Sequence, residues 1–226
     1  MSVQFLSHVL DATTQSYGNR EKPRVEQRTF LANGDSANSF GLTLPTTHLG
    51  THIDFPFHFF NDGRKIAEVL PNECIFNSVH LIDIPCNEAK LIGPADFQSP
   101  IPVNTELLLI RTGYEKYRGE EKYWNDNPGI SHQLPIFLRK NYSKLRCLGI
   151  DAISITSWKY RSEGRDAHRH FLNKEGDGKP ICIVEDMSLN KVSGPFESVI
   201  ILPILIERID SSPVSVLGFM NALTND

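Results

Sequence analysis

Residues 46–60 read TTHLGTHIDFPFHFF, and this stretch constrains the fold more than any other part of the 226-residue chain. It places His48, His52, Asp54 and His58 within eleven positions, all of them at even numbers. On an extended chain these side chains would share one face, because side chains alternate with a period of two. A straight strand would nevertheless hold His48 and His58 about 33 Å apart, at ~3.3 Å per residue, so we expect the chain to bend between them.

The same stretch contains residues that allow such bends. Gly50 has access to backbone conformations that other residues avoid, and Pro56 has a fixed, turn-compatible φ. A helix is a poor alternative, because Asp54 would lie about 240° around it from His48 and Pro56 would break it. The stretch therefore predicts a compact, looped cluster of side chains.

Imidazole and carboxylate groups bind borderline and hard divalent metal ions. A lone histidine is usually an ordinary core or surface residue, but three histidines and an aspartate here stand among four phenylalanines, at positions 55, 57, 59 and 60. Burying so many polar groups in apolar surroundings is costly unless they have partners. We therefore predict that the cluster binds metal.

Apolar patterns elsewhere predict strands and helices in alternation. Short runs of alternating apolar and polar residues predict strands at 38–44 and 78–85. Continuous apolar runs predict further strands, which we expect to be buried on both faces, at 106–111, 148–155, 181–184 and 199–206. Helical spacing covers 131–142 and 165–176, while the first 37 residues suggest loops and irregular strands. Because the helices are too few to cover every crossover, we expect a single α/β domain over residues 1–226 with mixed β-sheets.

Composition excludes several other classes of protein. With 23 Lys and Arg against 27 Asp and Glu, the formal net charge is −4, which argues against a nucleic-acid or anionic-membrane partner. The longest apolar stretch, in residues 198–210, is far shorter than the ~20 residues of a membrane span, and the N-terminus has no secretory signal. Four cysteines without a C-x-x-C pair suggest buried thiols of a reducing compartment. We expect a soluble cytoplasmic protein.

The pattern H-x-G-T-H-x-D-x-P-x-H, from His48 to His58, resembles the signature of the cyclase family of metal-dependent hydrolases. That family includes bacterial kynurenine formamidase and isatin hydrolase. The blocks LLIRTGY, NPGIS, LGIDAISI and ICIVEDMSL follow in the order in which family members show their counterparts. The resemblance covers most of the chain, and it implies the cyclase-family fold, a swivelling β/β/α-like arrangement with few helices, and assembly into homodimers or homotetramers.

The resemblance also implies a site for two divalent ions, zinc being expected and manganese the alternative. His48, His52 and Asp54 would hold one ion, and Asp54 would bridge to a second ion held by a later histidine and a glutamate. The glutamate that matches the family block is Glu185, at the end of the run ICIVE.

The later histidine is either His168 or His170. On a helix, His168 shares a face with Phe171 and Leu172 and points inward, while His170 lies about 200° away from it. The family's spacing of a histidine followed by paired large apolar residues also fits His168. We therefore assign His168 as the ligand and set His170 aside.

His58 is expected to differ from the ligands, because it matches the family's general acid/base, and an unperturbed imidazole pKa near 6.5 suits proton transfer at neutral pH. The implied reaction is hydrolysis of a small linear or cyclic amide by metal-activated water, as in an arylformamidase. An alternative from another class is a non-catalytic metal- or ligand-binding member of the family. A third is one structural zinc that the fold requires.

Recognition of the substrate is less clear from the sequence. Kynurenine formamidases of the family carry a tryptophan near the N-terminus that packs on the substrate, whereas the tryptophans here are Trp124 and Trp158. Tyr17, Phe30 and Phe40 are the candidates to form that aromatic wall.

Overall fold

A computed structural model describes residues 2–221 of the chain, and in that range it contains thirteen β-strands and three α-helices. The strands are β1 Ser2–Phe5, β2 Arg24–Thr29, β3 Ser39–Thr43, β4 His52–Asp54, β5 Ile75–Phe76, β6 Val79–Asp83, β7 Leu91–Ile92, β8 Leu107–Arg111, β9 Gly129–Ile130, β10 Cys147–Ile150, β11 Cys182–Glu185, β12 Phe196–Pro203 and β13 Ser211–Met220. The helices are α1 Lys122–Asn125, α2 Gln133–Asn141 and α3 Arg161–Leu172.

The main sheet is mixed, as the sequence predicted. Its order is β5-β12-β13-β4-β11-β10-β8-β6, and β1 pairs with β13 beside β4. The half formed by β11, β10, β8 and β6 is parallel, and every pairing from β11 through β4 to β5 is antiparallel. Strand β12 also approaches β6, so the sheet nearly closes on itself. β4 lies where the parallel and antiparallel halves meet.

Two hydrophobic cores lie on opposite faces of this sheet. In β8, Leu108 and Ile110 pack with the helices, while Leu107 and Leu109 pack with the residues enclosed by the curving sheet. Because successive side chains of a strand point to opposite faces, a strand between two cores must be apolar throughout. This explains the continuous apolar runs. The prediction that they are buried on both faces is confirmed for β8, β10 and β11.

Several predicted boundaries were wrong. The run 199–206 is not buried on both faces, because β12 ends at Pro203 and alternates, with Val199 and Ile201 buried and Leu202 exposed. The run 148–155 leaves the sheet after Ile150, where the Asp151 carboxylate accepts hydrogen bonds from the backbone of β8's following loop. The predicted helix 165–176 is α3, which both begins and ends four residues earlier.

β13, the longest strand, was not predicted at all. It contains Pro213, a residue that sequence analysis normally excludes from sheet interiors because it lacks a backbone donor. Pro213 is nevertheless tolerated opposite His52, and the next residue continues the pairing by donating its backbone N–H to Thr51.

The hairpin of β2 and β3 stands apart from these cores. Val25, Phe40 and Leu42 share one face of it, and each is more than half exposed. A two-stranded hairpin is marginally stable in water without a surface to pack on. The homo-oligomer implied by the family resemblance would supply one, and it stays a prediction.

Two further expectations can be compared with the structure. Cys74, Cys86 and Cys147 are buried thiols and Cys182 is half-buried, and all four are unpaired. Among residues 2–221, none of the helices has the length and apolar character needed to cross a bilayer.

Close backbone contact fixes the position of α3. Gly164, in its first half, packs so tightly that a Cβ there would lie 2.5 Å from the Cα of Thr156. Because the obstacle is backbone, a side-chain rotation cannot relieve it. Gly164 therefore sets how near α3 approaches the loop after β10.

Gly164→Ala is expected to destabilise the protein, although glycine to alanine inside a helix normally stabilises by ~1 kcal/mol. Overpacking of this kind costs about 1–3 kcal/mol, which corresponds to a Tm lower by roughly 2–12 °C in a domain of this size. Thermal unfolding followed by circular dichroism measures it. The matched control is Ser162→Ala, at an exposed position of the same helix, which should not lower the Tm. A Tm for Gly164→Ala at or above the wild-type value would contradict the packing argument.

Candidate metal centre

Strand β4 carries two of the predicted ligands on one face. His52 and Asp54 point to the same side because they are two residues apart, and Ile53 between them packs into the core enclosed by the sheet. All three residues are buried, and Asp54 has no exposed surface at all. A charged side chain at the end of an interior strand of the sheet is costly unless it is compensated, so Asp54 requires positive charge close to it.

The chain bends on both sides of β4, as the sequence predicted. Gly50 adopts a φ of +62°, a left-handed conformation that strongly favours glycine, and a Cβ there would lie 2.3 Å from Leu10 Cδ2. After the strand, Pro56 begins a 3-10 turn, Pro56–His58. These bends bring His48 and His58 together, with their ring centroids 4.3 Å apart.

Strand register and α3 bring in the two remaining predicted ligands. Glu185, the last residue of β11, lies opposite His52 in the antiparallel pairing with β4. His168 is buried on the inner side of α3, as the helical spacing predicted, whereas His170 is exposed. Its Nε2 lies 3.4 Å from Glu185 Oε1 and 3.6 Å from Asp54 Oδ2.

Hydrogen bonds fix the orientation of these side chains. The Nδ1 atoms of His52 and His168 donate to the backbone carbonyls of Gly50 and Gly164, each at 2.8 Å. Since a carbonyl only accepts, each Nδ1 atom carries a hydrogen and is held at the backbone. Each Nε2 atom is then directed at the carboxylates, the arrangement found in histidines that ligate metal. Glu185 Oε1 in turn accepts from the backbone N–H of Ile155 at 2.7 Å and from a serine hydroxyl.

Several buried polar atoms in this cluster lack hydrogen-bond partners. They are His52 Nε2, Asp54 Oδ1 and Asp54 Oδ2. His52 Nε2 lies 3.4 Å from Glu185 Oε2 and 3.7 Å from Asp54 Oδ1. Buried polar groups are nearly always satisfied in proteins, and an oxygen and nitrogen donor set of this kind is one that divalent cations bind. The residues present therefore fit a metal ion.

The electrostatics point the same way. Burial disfavours a charged imidazole, yet the Asp54 and Asp210 carboxylates outweigh it and raise the pKa of His48 to about 10. Burial is likewise outweighed at His168, where Asp54 and Glu185 raise the pKa to about 9. Conversely, despite burial, His168 and His52 lower the pKa of Glu185 to about 2. The two carboxylates thus remain ionised and create a strong demand for positive charge.

A second group lies nearer the surface and contains a residue that sequence analysis missed. Asp210, just before β13, accepts a hydrogen bond from His58 Nδ1 at 2.7 Å and contacts His48 Nε2 at 3.0 Å. The Nδ1 atom of His48 faces Asp54 Oδ1 at 3.1 Å. Both imidazoles favour the charged carboxylate, so they hold the pKa of Asp210 far below its usual range against the effect of burial. Asp210 is 152 residues from His58, and no local pattern signals the contact.

The geometry groups the potential ligand atoms differently from the family scheme: His52 groups with Glu185 rather than with His48, and His168 belongs to neither group. One group joins His48, Asp54 and His58, and the other joins His52, Asp54 and Glu185, each with ligand atoms within 4.8 Å of one another. Asp54 belongs to both groups, as a bridging ligand would. The pairing of ligands with each ion, and the assignment of His58 as proton carrier, stay predictions.

The cluster opens into a cavity of about 340 Å³. Its wall includes the aromatic residues Tyr17 and Phe59. Of the three candidates for an aromatic wall, Tyr17 lines this cavity, while Phe30 and Phe40 are exposed and lie near or on the β2–β3 hairpin. A larger cavity of about 660 Å³ lies elsewhere and contains none of the predicted site residues, so volume does not identify the site.

Comparisons with known proteins identify the family. The model of the Cyclase family matches residues 5–157. A kynurenine formamidase of Bacillus cereus is 31% identical over 179 residues, which are 79% of this chain and 78% of the relative, and one of Bacillus cytotoxicus is 28% identical with 79% of both chains covered.

Solved structures give the same result for the fold. Isatin hydrolase A from Ralstonia solanacearum superposes with a TM-score of 0.77 at 19% identity, covering 97% of this chain and 92% of that one. A structure described as a predicted metal-dependent hydrolase from Bacillus stearothermophilus gives a TM-score of 0.74 at 18% identity, covering 96% and 97%. With the family model matched over more than half of its length, this chain belongs to the cyclase family.

Proposed function

We propose that the protein is a metal-dependent hydrolase that cleaves a small linear or cyclic amide. The observation that carries the proposal is the set of buried, unsatisfied ligand atoms of His52 and Asp54 beside Glu185, at a cavity of about 340 Å³. Relatives in the same family are named kynurenine formamidase and isatin hydrolase, names that denote hydrolysis of C–N bonds in a linear and a cyclic amide.

His48, His52, Asp54, His168 and Glu185 are proposed to hold two divalent ions, zinc or alternatively manganese, with Asp54 shared between them. When bound, such ions polarise the amide carbonyl and lower the pKa of a water so that it can attack the carbonyl carbon. The protein's contribution is to hold the ligands rigidly. The β4–β11 register and the bonds from His52 and His168 to backbone carbonyls supply that rigidity.

His58 is proposed to move the proton that the reaction requires. Its Nδ1–H donates to Asp210 Oδ2 at 2.7 Å, so Nε2 is the atom that exchanges a proton with the reacting groups. A carboxylate in this position holds the imidazole in one tautomer and stabilises its charged form, as in other catalytic pairs. His58 would protonate the leaving nitrogen, and Asp210 would position His58.

The proposal as a whole is tested by turnover with and without metal. N-formylkynurenine, isatin and formanilide form the panel, and the release of formate or acid is measured with added Zn²⁺ or Mn²⁺ and after EDTA. We expect at least one amide to be hydrolysed, and we expect EDTA to abolish turnover while circular dichroism stays unchanged.

Two other results would each favour a different function of the protein. Metal bound in stoichiometric amount without turnover of any amide would support a non-catalytic binding member of the family. Loss of the fold on chelation would instead support a structural zinc site.

Asp54→Ala is expected to strip both ions, because Asp54 belongs to both groups of potential ligand atoms. Metal per chain is measured by inductively coupled plasma mass spectrometry after dialysis, and the content should fall from about two to near zero if one carboxylate bridges both ions. The control is Asp166→Ala, which removes an exposed carboxylate of α3 and should leave the metal content unchanged. Full occupancy in Asp54→Ala would rule the bridge out.

His58→Ala is expected to keep its metal and to lose turnover. Removal of a general acid/base typically lowers kcat by about 10²- to 10⁴-fold. His170→Ala, an exposed histidine of α3, is the control and should retain both metal and kcat. If His58→Ala loses metal instead, then His58 is a ligand, as its place in the group with His48 and Asp54 would allow.

A further inference from the structure

Two arginines of α3 face the same cavity as the candidate metal ligand His168. Arg161, Arg165 and His168 all line it. At 100° per residue, positions 161, 165 and 168 fall within about 60° of one another around the helix, so they form one row. The face of α3 that carries His168 therefore also directs two positive charges at the cavity.

These arginines conflict with local helix energetics. Arg161 is the first residue of α3, where the helix dipole disfavours a cation. Arg161 and Arg165 are also like charges four residues apart, an arrangement that destabilises a helix. Such departures from local rules are expected where function requires them.

Two neighbouring cations, Lys159 and Arg169, have carboxylate partners, and these two arginines do not. Lys159 contacts Asp126 at 2.6 Å, and Arg169 contacts Asp166 at 2.8 Å. Within residues 2–221, no ion pair involves Arg161 or Arg165. Both guanidinium groups can therefore bind an anion that enters the cavity.

Neighbouring aromatic residues hold one guanidinium group in place. Arg161 Cζ lies 4.7 Å from the centre of the Trp158 ring, and Trp158 packs against Tyr17 with ring centroids 5.3 Å apart. The buried Tyr17 hydroxyl lies beside Arg161. Arg20 also lines the cavity. Apart from the candidate ligands Asp54 and Glu185, the only carboxylate among the lining residues is that of Glu21. The donors exceed the acceptors on this wall.

We infer that the amide substrate carries a carboxylate and that Arg161 and Arg165 bind it, an inference that rests on the proposed function. Guanidinium groups match carboxylates in shape and bind them with strong, charge-assisted hydrogen bonds. With a rise of about 1.5 Å per residue, Arg165 lies about 4.5 Å and Arg161 about 10 Å along the helix axis from His168. One small molecule can therefore place its carboxylate on the arginines and its amide at the metal ligands.

The test compares charged and uncharged amides of nearly equal shape. The probes are 2- and 3-formamidobenzoate and their carboxamide counterparts, with formate release giving kcat/KM for the metal-loaded wild type, Arg161→Met, Arg165→Met and the double variant. Lys140→Met, which removes an exposed cation from α2, is the matched control.

We expect the wild type to prefer a benzoate over its carboxamide by about 10- to 100-fold, the range that charge-assisted hydrogen bonds give. The double variant should lose that preference through KM, Lys140→Met should retain it, and Arg161→Lys with Arg165→Lys should restore part of it. An equal ratio in the wild type and the double variant would overturn the inference.

Failure of the inference can be separated from failure of the proposed function. Isothermal titration calorimetry of the same probes with the metal-loaded wild type and double variant measures carboxylate preference without turnover. If no probe is hydrolysed yet benzoates bind more tightly than carboxamides only when the arginines are present, the carboxylate site stands and the hydrolase proposal falls. If carboxamides are hydrolysed with no preference for charge, the hydrolase proposal stands and the carboxylate site falls.

Discussion

The structure depends on two buried carboxylates that have to stay ionised next to each other. Asp54 and Glu185 are both almost completely enclosed, and the imidazoles around them lower the pKa of each. Placing two negative charges in a low-dielectric interior is prohibitive unless positive charge is held within a few ångströms. Imidazolium groups or divalent cations can supply that charge. The positions of the histidines around this pair follow from the requirement.

Strand register is what brings the pair together. His52 and Asp54 project from one short strand at the junction of the parallel and antiparallel halves of the sheet, and Glu185 ends the neighbouring strand opposite His52. Shifting that register by one residue would turn His52 and Asp54 into the apolar core and Ile53 into the cavity. The apolar partner of Ile53 in β11, Val184, packs in the same core and opposes such a shift. The hydrophobic pattern of these strands thus holds the polar site in place.

Local features of the site could be predicted from the sequence, and distant contacts could not. The even spacing of His48, His52, Asp54 and His58 and the bends at Gly50 and Pro56 are properties of one short segment, and each appears in the structure. Glu185 and His168 needed the family resemblance to be selected, because their place depends on sheet and helix packing. Asp210 was missed entirely. It precedes β13, which was not predicted because it contains Pro213. Its contact with His58 forms only when the chain folds.

Helix α3 combines close packing, a candidate metal ligand and the two arginines proposed to bind an anion. Gly164 lowers its intrinsic helix stability but permits close approach to Thr156, and its carbonyl oxygen accepts the hydrogen bond that orients His168. Arg161 opposes the helix dipole at the same end. Each residue weakens the isolated helix, and each is explained by what lies across from it in the folded protein. Tertiary contacts of Ala167, Phe171 and Leu172 with the core offset these costs, so the inner face of α3 can carry both a candidate ligand and the arginines.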